Sequence, residues 1–197
     1  MRRWVTIGHD GHMRVMLKFE IDCDVDAAWR ALHSPTVVSE LYTPLMQLRP
    51  IDQLPTSWEP GAHGEVQMLA AGAIPVGRQL IRVSDHERTV RGQRVRIFHD
   101  SGIPLSGPLS TLTRWDHQMA VSEVPGRPDR TLWRDRLIIE GATAPLFWPA
   151  MWAAWQWRQA RITALAPSWA YDPELDDAFD EEDALEAVGA DSLAEDA

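Results

Sequence analysis

Asp135 stands in the run TLWRDRLII with Trp133 at i−2, Leu137 at i+2 and Ile139 at i+4. In an extended chain these four share one face, which carries the carboxyl group into apolar surroundings. A carboxylate placed there must be paired with a cation or have its pKa raised. Arg158 and Arg78 are the partners that an ion-pair reading nominates. The same position also suits a polar group that meets a ligand, or a general base. His99 and His117 lie in runs of the same extended type, RVRIFHDS and STLTRWDHQMAVSEV, and bring side chains that titrate near neutral pH. His99 shares parity with Val95 and Ile97, and His117 with Trp115 and Met119, so both rings fall on inward faces. The ordinary reading of each is a satisfied or exposed histidine. Tyr42 closes a short helical stretch, where it serves as core or reaches the mouth of a pocket.

Other constellations are weaker. His9 and His12 have a ligand-like spacing, but no third ligand lies near them, and no metal is expected. GxGxxG, GxxxxGK[ST], GxSxG and HExxH do not occur, which removes the usual nucleotide, hydrolase and zincin chemistries, and no cofactor is expected.

The formal charge of −10 over 197 residues is unevenly placed. Residues 172–197 hold twelve Asp or Glu and no Lys or Arg, leaving 17 acids against 19 bases in the rest. That terminal stretch reads as a disordered acidic tail, usually solubilising and in some proteins a contact for a basic partner. The bases are 18 arginines and Lys18, scattered among acids without a basic stripe, so nucleic-acid binding is not expected. Cys23 stands alone, no apolar run follows the first arginines, and no stretch reaches the roughly 18 apolar residues of a membrane span. A cytoplasmic location is the expectation.

The elements that must position the candidate residues follow from periodicity. MRVMLKFEID, residues 13–22, alternates as a half-buried strand. Asp24 then caps a helix over 24–33, and Ser34-Pro35 restarts one over 35–42. From Gly64 to Glu140 five period-two runs are separated by turn signals at Gly72–Pro75, Asp85–Gly92, Gly102–Pro108 and Pro125–Asp129. They predict an antiparallel sheet in hairpin succession. SGIPLSGPLS, residues 101–110, reads as a hairpin connection or a lid.

APLFWPAMWAAWQWRQARITALAPSW, residues 144–169, carries five of the ten tryptophans and is helical in period. At 100° per residue, Trp148, Met151, Trp152, Trp155, Gln159, Ile162 and Ala166 fall in one sector, with Trp157 opposite. Trp148, Trp152 and Trp155 could bury about 450 to 750 Å² between them. A surface-lying membrane helix would want a more cationic polar face than Arg158 and Arg161 supply. The stripe is expected to cover the sheet.

One strand, two short helices, five antiparallel strands and a long terminal helix, with DVDAAWRAL, WRDRLIIEG and PLFWPAMWAAWQWRQARITAL in those places, resemble the START-like or SRPBCC superfamily. Arg134-Asp135 in the last strand looks like a feature of its polyketide cyclase-like branch. The resemblance covers about residues 13 to 169. It implies an α+β helix-grip fold: a curved antiparallel sheet of about six strands around a long C-terminal helix, with a cavity between them. It also implies that the indoles of the terminal helix line or cap that cavity. The organisation expected is a flexible segment 1–12, a ligand-binding domain 13–170 and an acidic disordered tail 171–197.

Three functions remain open on this reading. The first is binding of a hydrophobic, aromatic or polyketide/lipid-like small molecule by Trp148, Met151, Trp152, Trp155, Trp133, Asp135 and Tyr42. The second is a cyclase or dehydrase in the same cavity, with Asp135, His99 or His117 as acid or base. The third is a protein-interaction domain with a filled core.

Overall fold

The computed structural model describes residues 4–7 and 13–170. Eight strands form one sheet: β1 (Trp4–Ile7), β2 (Met13–Ile21), β3 (Met46–Pro50), β4 (His63–Ala70), β5 (Ile74–Val90), β6 (Gln93–Asp100), β7 (Arg114–Val124) and β8 (Arg127–Glu140). Their spatial order is β1-β2-β8-β7-β6-β5-β4-β3, with every neighbouring pair antiparallel. Three helices complete the domain: α1 (Val25–His33), α2 (Pro35–Tyr42) and α3 (Ala144–Leu165). This is the helix-grip arrangement, in which a meander from β3 to β8 returns the last strand beside β2.

Two strands exceed the expected six. Residues 4–7, within the segment expected to be flexible, pair with Met13–Met16 at the sheet edge. Residues 46–50 pair with β4 at the other edge and are too short to show a period. Strand β5 also runs to Val90, through Asp85–Gly92, where a turn was expected. Its last residues, from Glu87 to Val90, are all exposed because this ribbon projects beyond the core, so their polar character imitates a turn. The actual turn is Arg91-Gly92, both at positive φ (53° and 78°), a pair that matches the twist of a tight hairpin.

Local chemistry sets the helices as the sequence implies. Asp24 Oδ1 accepts from the backbone N–H of Asp26 and Ala27 at 2.8 Å each, and Ser34 Oγ accepts from Val37 N–H at 3.3 Å. Along β2 every second residue from Met13 to Ile21 is buried, with Ile21 fully enclosed. Helix α3 packs against β2 and α2. Its C-terminal end is closely packed: Ile162 and, just past the helix, Ala166 have no exposed surface, and Trp133 lies between Phe19 and Trp169 at centroid distances of 6.4 and 6.0 Å. No helix among the described residues is long and apolar enough to cross a membrane.

Segment 101–107 is laid along β5. Ser101 N–H donates to Arg82 O (2.9 Å), Leu80 N–H to Ile103 O (2.9 Å) and Leu105 N–H to Arg78 O (2.7 Å). The approach is so close that a Cβ at Gly102 would stand 1.8 Å from Leu80 O, and one at Gly107 2.0 Å from Val76 O. Only glycine fits at either place. The segment is therefore a strap fixed to the sheet.

Candidate functional site

Between the sheet and the middle of α3 lies a cavity of about 140 Å³. Its wall is mainly apolar, with Met68, Val83, Phe98 and Met119 from the strands and Met151 from the helix. The indoles of Trp58, Trp115, Trp155 and Trp157 also face it. Leu45 lines it while 51% exposed, which marks where the hollow meets solvent. A dry cavity of about 150 Å³ is large enough to hold benzene, so the space suits a single aromatic ring.

Behind the wall Asp135 gathers a closed polar knot. Its Oδ1 accepts from His117 Nε2 and from Trp155 Nε1, each at 2.8 Å, and its Oδ2 accepts from Arg158 Nε at 3.0 Å. Asp135 and Arg158 are each 1% exposed. Burial alone would raise the carboxyl pKa, but His117, Arg158 and the donated hydrogen bonds outweigh it and hold the group well below the usual carboxylate range. Burial likewise works against the Arg158 charge, and Tyr42 and Asp135 overcome it, so the guanidinium stays charged. Its Cζ sits 5.3 Å from the Tyr42 ring centroid, and its Nη2 reaches Met119 Sδ at 2.8 Å. Because Nε2–H of His117 is committed to Asp135, Nδ1 is the ring's remaining hydrogen-bonding atom.

Two further polar residues face the hollow. Asp100 is the cross-strand partner of His117, and its Oδ1 accepts from the backbone N–H of Gly102 (3.0 Å) and Arg82 (3.2 Å). Burial pushes its carboxyl pKa up, and the opposing pull of His117, of those backbone donors and of the Trp115 indole does not cancel the rise. Gln79 continues the row of Ile81 and Val83 into the cavity; it is 6% exposed, and neither its Nε2 nor its Oε1 has a hydrogen-bond partner.

Of the residues nominated from sequence, Tyr42, His117, Met151 and Trp155 line the cavity. Trp133 and Asp135 are buried outside the lining, Trp133 among Phe19 and Trp169 and Asp135 in its knot. Trp148 packs on the core outside the wall, and Trp152 is 36% exposed. Trp157, expected opposite, faces the hollow. The buried row of α3 runs through Met151, Trp155, Arg158 and Ile162, with Arg158 held against Asp135, and lies to one side of the sector that hydrophobicity alone selects. His99 is also not on the cavity side. It lies near His86 (centroids 6.0 Å apart) and 3.4 Å from Asp116, and burial lowers its pKa more than Asp116 raises it. Strand β6 carries apolar residues on both parities, and the parity of Phe98 and Asp100 is the one facing the hollow.

Trp58, Gln79 and Asp100 were not nominated from sequence. Trp58 sits in an irregular stretch with no period to read. Gln79 had a usable signal, a polar residue beside Ile81 and Val83 in an inward row, whereas Asp100 shares its parity with Arg94 and Arg96 as well as Phe98 and gave none. His9, His12 and the acidic tail lie outside the described residues.

No family model and no curated protein matches the chain. Solved structures do. A Helicobacter pylori protein superimposes with a TM-score of 0.53 at 14% identity, covering 80% of this chain and 88% of that one. A protein from Chromobacterium violaceum gives 0.52 at 15%, covering 78% and 97%. Truncated norcoclaurine synthase from Thalictrum flavum gives 0.52 at 13%, covering 78% and 92%. These likenesses show the fold class, a helix-grip domain.

Proposed function

We propose that the chain belongs to the START-like or SRPBCC superfamily and that its cavity binds a small, mostly apolar aromatic molecule. The observation that carries this reading is the hollow itself, with four indoles on its wall and room for one ring. Binding there draws on desolvation and on ring stacking against tryptophan, with a few polar groups fixing orientation. The test uses the wall as its own reporter. Titrating the protein with toluene, indole and naphthalene should shift or quench tryptophan fluorescence saturably. A spectrum that stays unchanged through the whole panel would sink the reading.

A second reading has one specific observation in its favour. Asp100, with its raised pKa, faces the hollow directly across from His117, whose ring is oriented by Asp135. Groups so arranged could supply and accept protons in a cyclisation or dehydration of a polyketide-like substrate. On that reading Asp100→Asn abolishes turnover and spares affinity for the aromatic panel; equal turnover by the variant removes Asp100 from any chemistry.

A further inference from the structure

Gln79 is unusual among the buried side chains of this domain. Its strand neighbours on the inward row, Ile81 and Val83, are apolar, and so is its cross-strand partner Val66. The amide is more than nine-tenths buried and lines the hollow, yet both of its polar atoms lack a partner. A buried primary amide left in that state costs a substantial part of the free energy of its lost hydration. An aliphatic residue of the same size would fill the position without that cost, so the amide is maintained against stability.

We infer that Gln79 is the specificity-determining residue of the cavity, reading a neutral one-ring aromatic ligand that carries a donor and an acceptor side by side, as in a carboxamide or lactam. This rests on the proposal that the cavity is a ligand site. A side-chain amide presents one N–H and one C=O along a single edge, and the group that satisfies both at once is another amide-like edge. Neutrality follows from the rest of the wall. Arg158, the guanidinium that lines the hollow, is already paired with Asp135, and Asp100 nearby disfavours further negative charge whenever it is ionised. Arg158 keeps one unpartnered nitrogen, Nη1, but its charge is already balanced by Asp135, so an anionic ligand would bring an excess negative charge to the wall. The 140 Å³ limits the apolar part to about one ring.

The experiment compares benzamide, toluene and benzoate on the full chain and on Gln79→Met, by tryptophan fluorescence and calorimetry, with a thermal melt of each protein as the folding control. Two hydrogen bonds to an otherwise unpartnered amide should make benzamide bind roughly 10- to 100-fold tighter than toluene. In Q79M that advantage should disappear while toluene binds as well as before or better. Benzamide that shows no preference over toluene, or keeps its preference in Q79M, overturns the inference and leaves the cavity reading standing. Benzoate outranking benzamide in the unaltered protein overturns it too, in favour of Arg158 as the reader. If none of the three binds, the cavity reading and the inference fall together.

Discussion

Asp135 and Gln79 are both polar side chains in apolar rows, 1% and 6% exposed, the first behind the wall of the hollow and the second on it. Around Asp135 the fold assembles a charged partner, an indole and an imidazole, so every oxygen of the carboxylate is used. Around Gln79 it assembles nothing. Burial of a charge is tolerable when its lone pairs are filled, and breaking such a set is far more damaging than never having built it. The two positions thus separate polarity that supports the architecture from polarity left for something outside the chain. Asp100 falls between them, satisfied at one oxygen by backbone donors yet still raised in pKa.

The largest effect that would break this contrast belongs to Asp135. Asp135→Asn leaves Arg158 charged, buried and uncompensated, and should cost about 3 to 5 kcal/mol in chemical denaturation. The loss should depend on pH in a defined sense. Because the folded pKa is depressed below the ordinary 3.8, the stabilisation is present above that value and fades as pH falls below it, so the gap between variant and parent narrows in acid. A mild loss at neutral pH, or a gap that widens in acid, would show that the knot does not carry the charge assigned to it.

Asp100 should behave oppositely. Its folded pKa is raised, so the parent loses stability as pH climbs from the ordinary 3.8 toward the folded value, and the penalty persists above it. Asp100→Asn keeps an oxygen for the Arg82 and Gly102 donors and removes the penalty, raising the melting temperature by a few degrees, or about 1 kcal/mol, at pH 7. Below pH 4 the two proteins should melt together. The smallest effect is expected at Trp152, the indole that faces solvent: Trp152→Gln should change stability by less than about 1 kcal/mol and leave the fluorescence response to toluene intact. A lost response would place that ring in the hollow after all.

The fold was largely legible in the sequence because its signals are local. Asp24 and Ser34 announce two helix starts, and the alternation of Met13–Ile21 announces a strand with one buried face. The site was legible only in part, because it depends on rotation and register between elements. The inward parity of Asp135 implied either a buried cation or a raised pKa. Its pairing with Arg158 joins two distant elements, and whether Trp152 or Trp157 meets the wall depends on the rotation of α3, which no local signal sets. Nothing local marks Trp58, whose backbone N–H is held by His33 O at 2.7 Å and whose indole reaches the hollow from an irregular stretch.

Fastening of the strap at Gly102 and Gly107 bears on traffic. A guest entering over segment 101–107 would have to peel main-chain hydrogen bonds from β5, beside the very strand that carries Gln79. Leu45, half exposed on the wall, is where the hollow meets solvent. Residence time is then governed by side-chain movement at that threshold, and a bulkier residue there would slow arrival and departure alike.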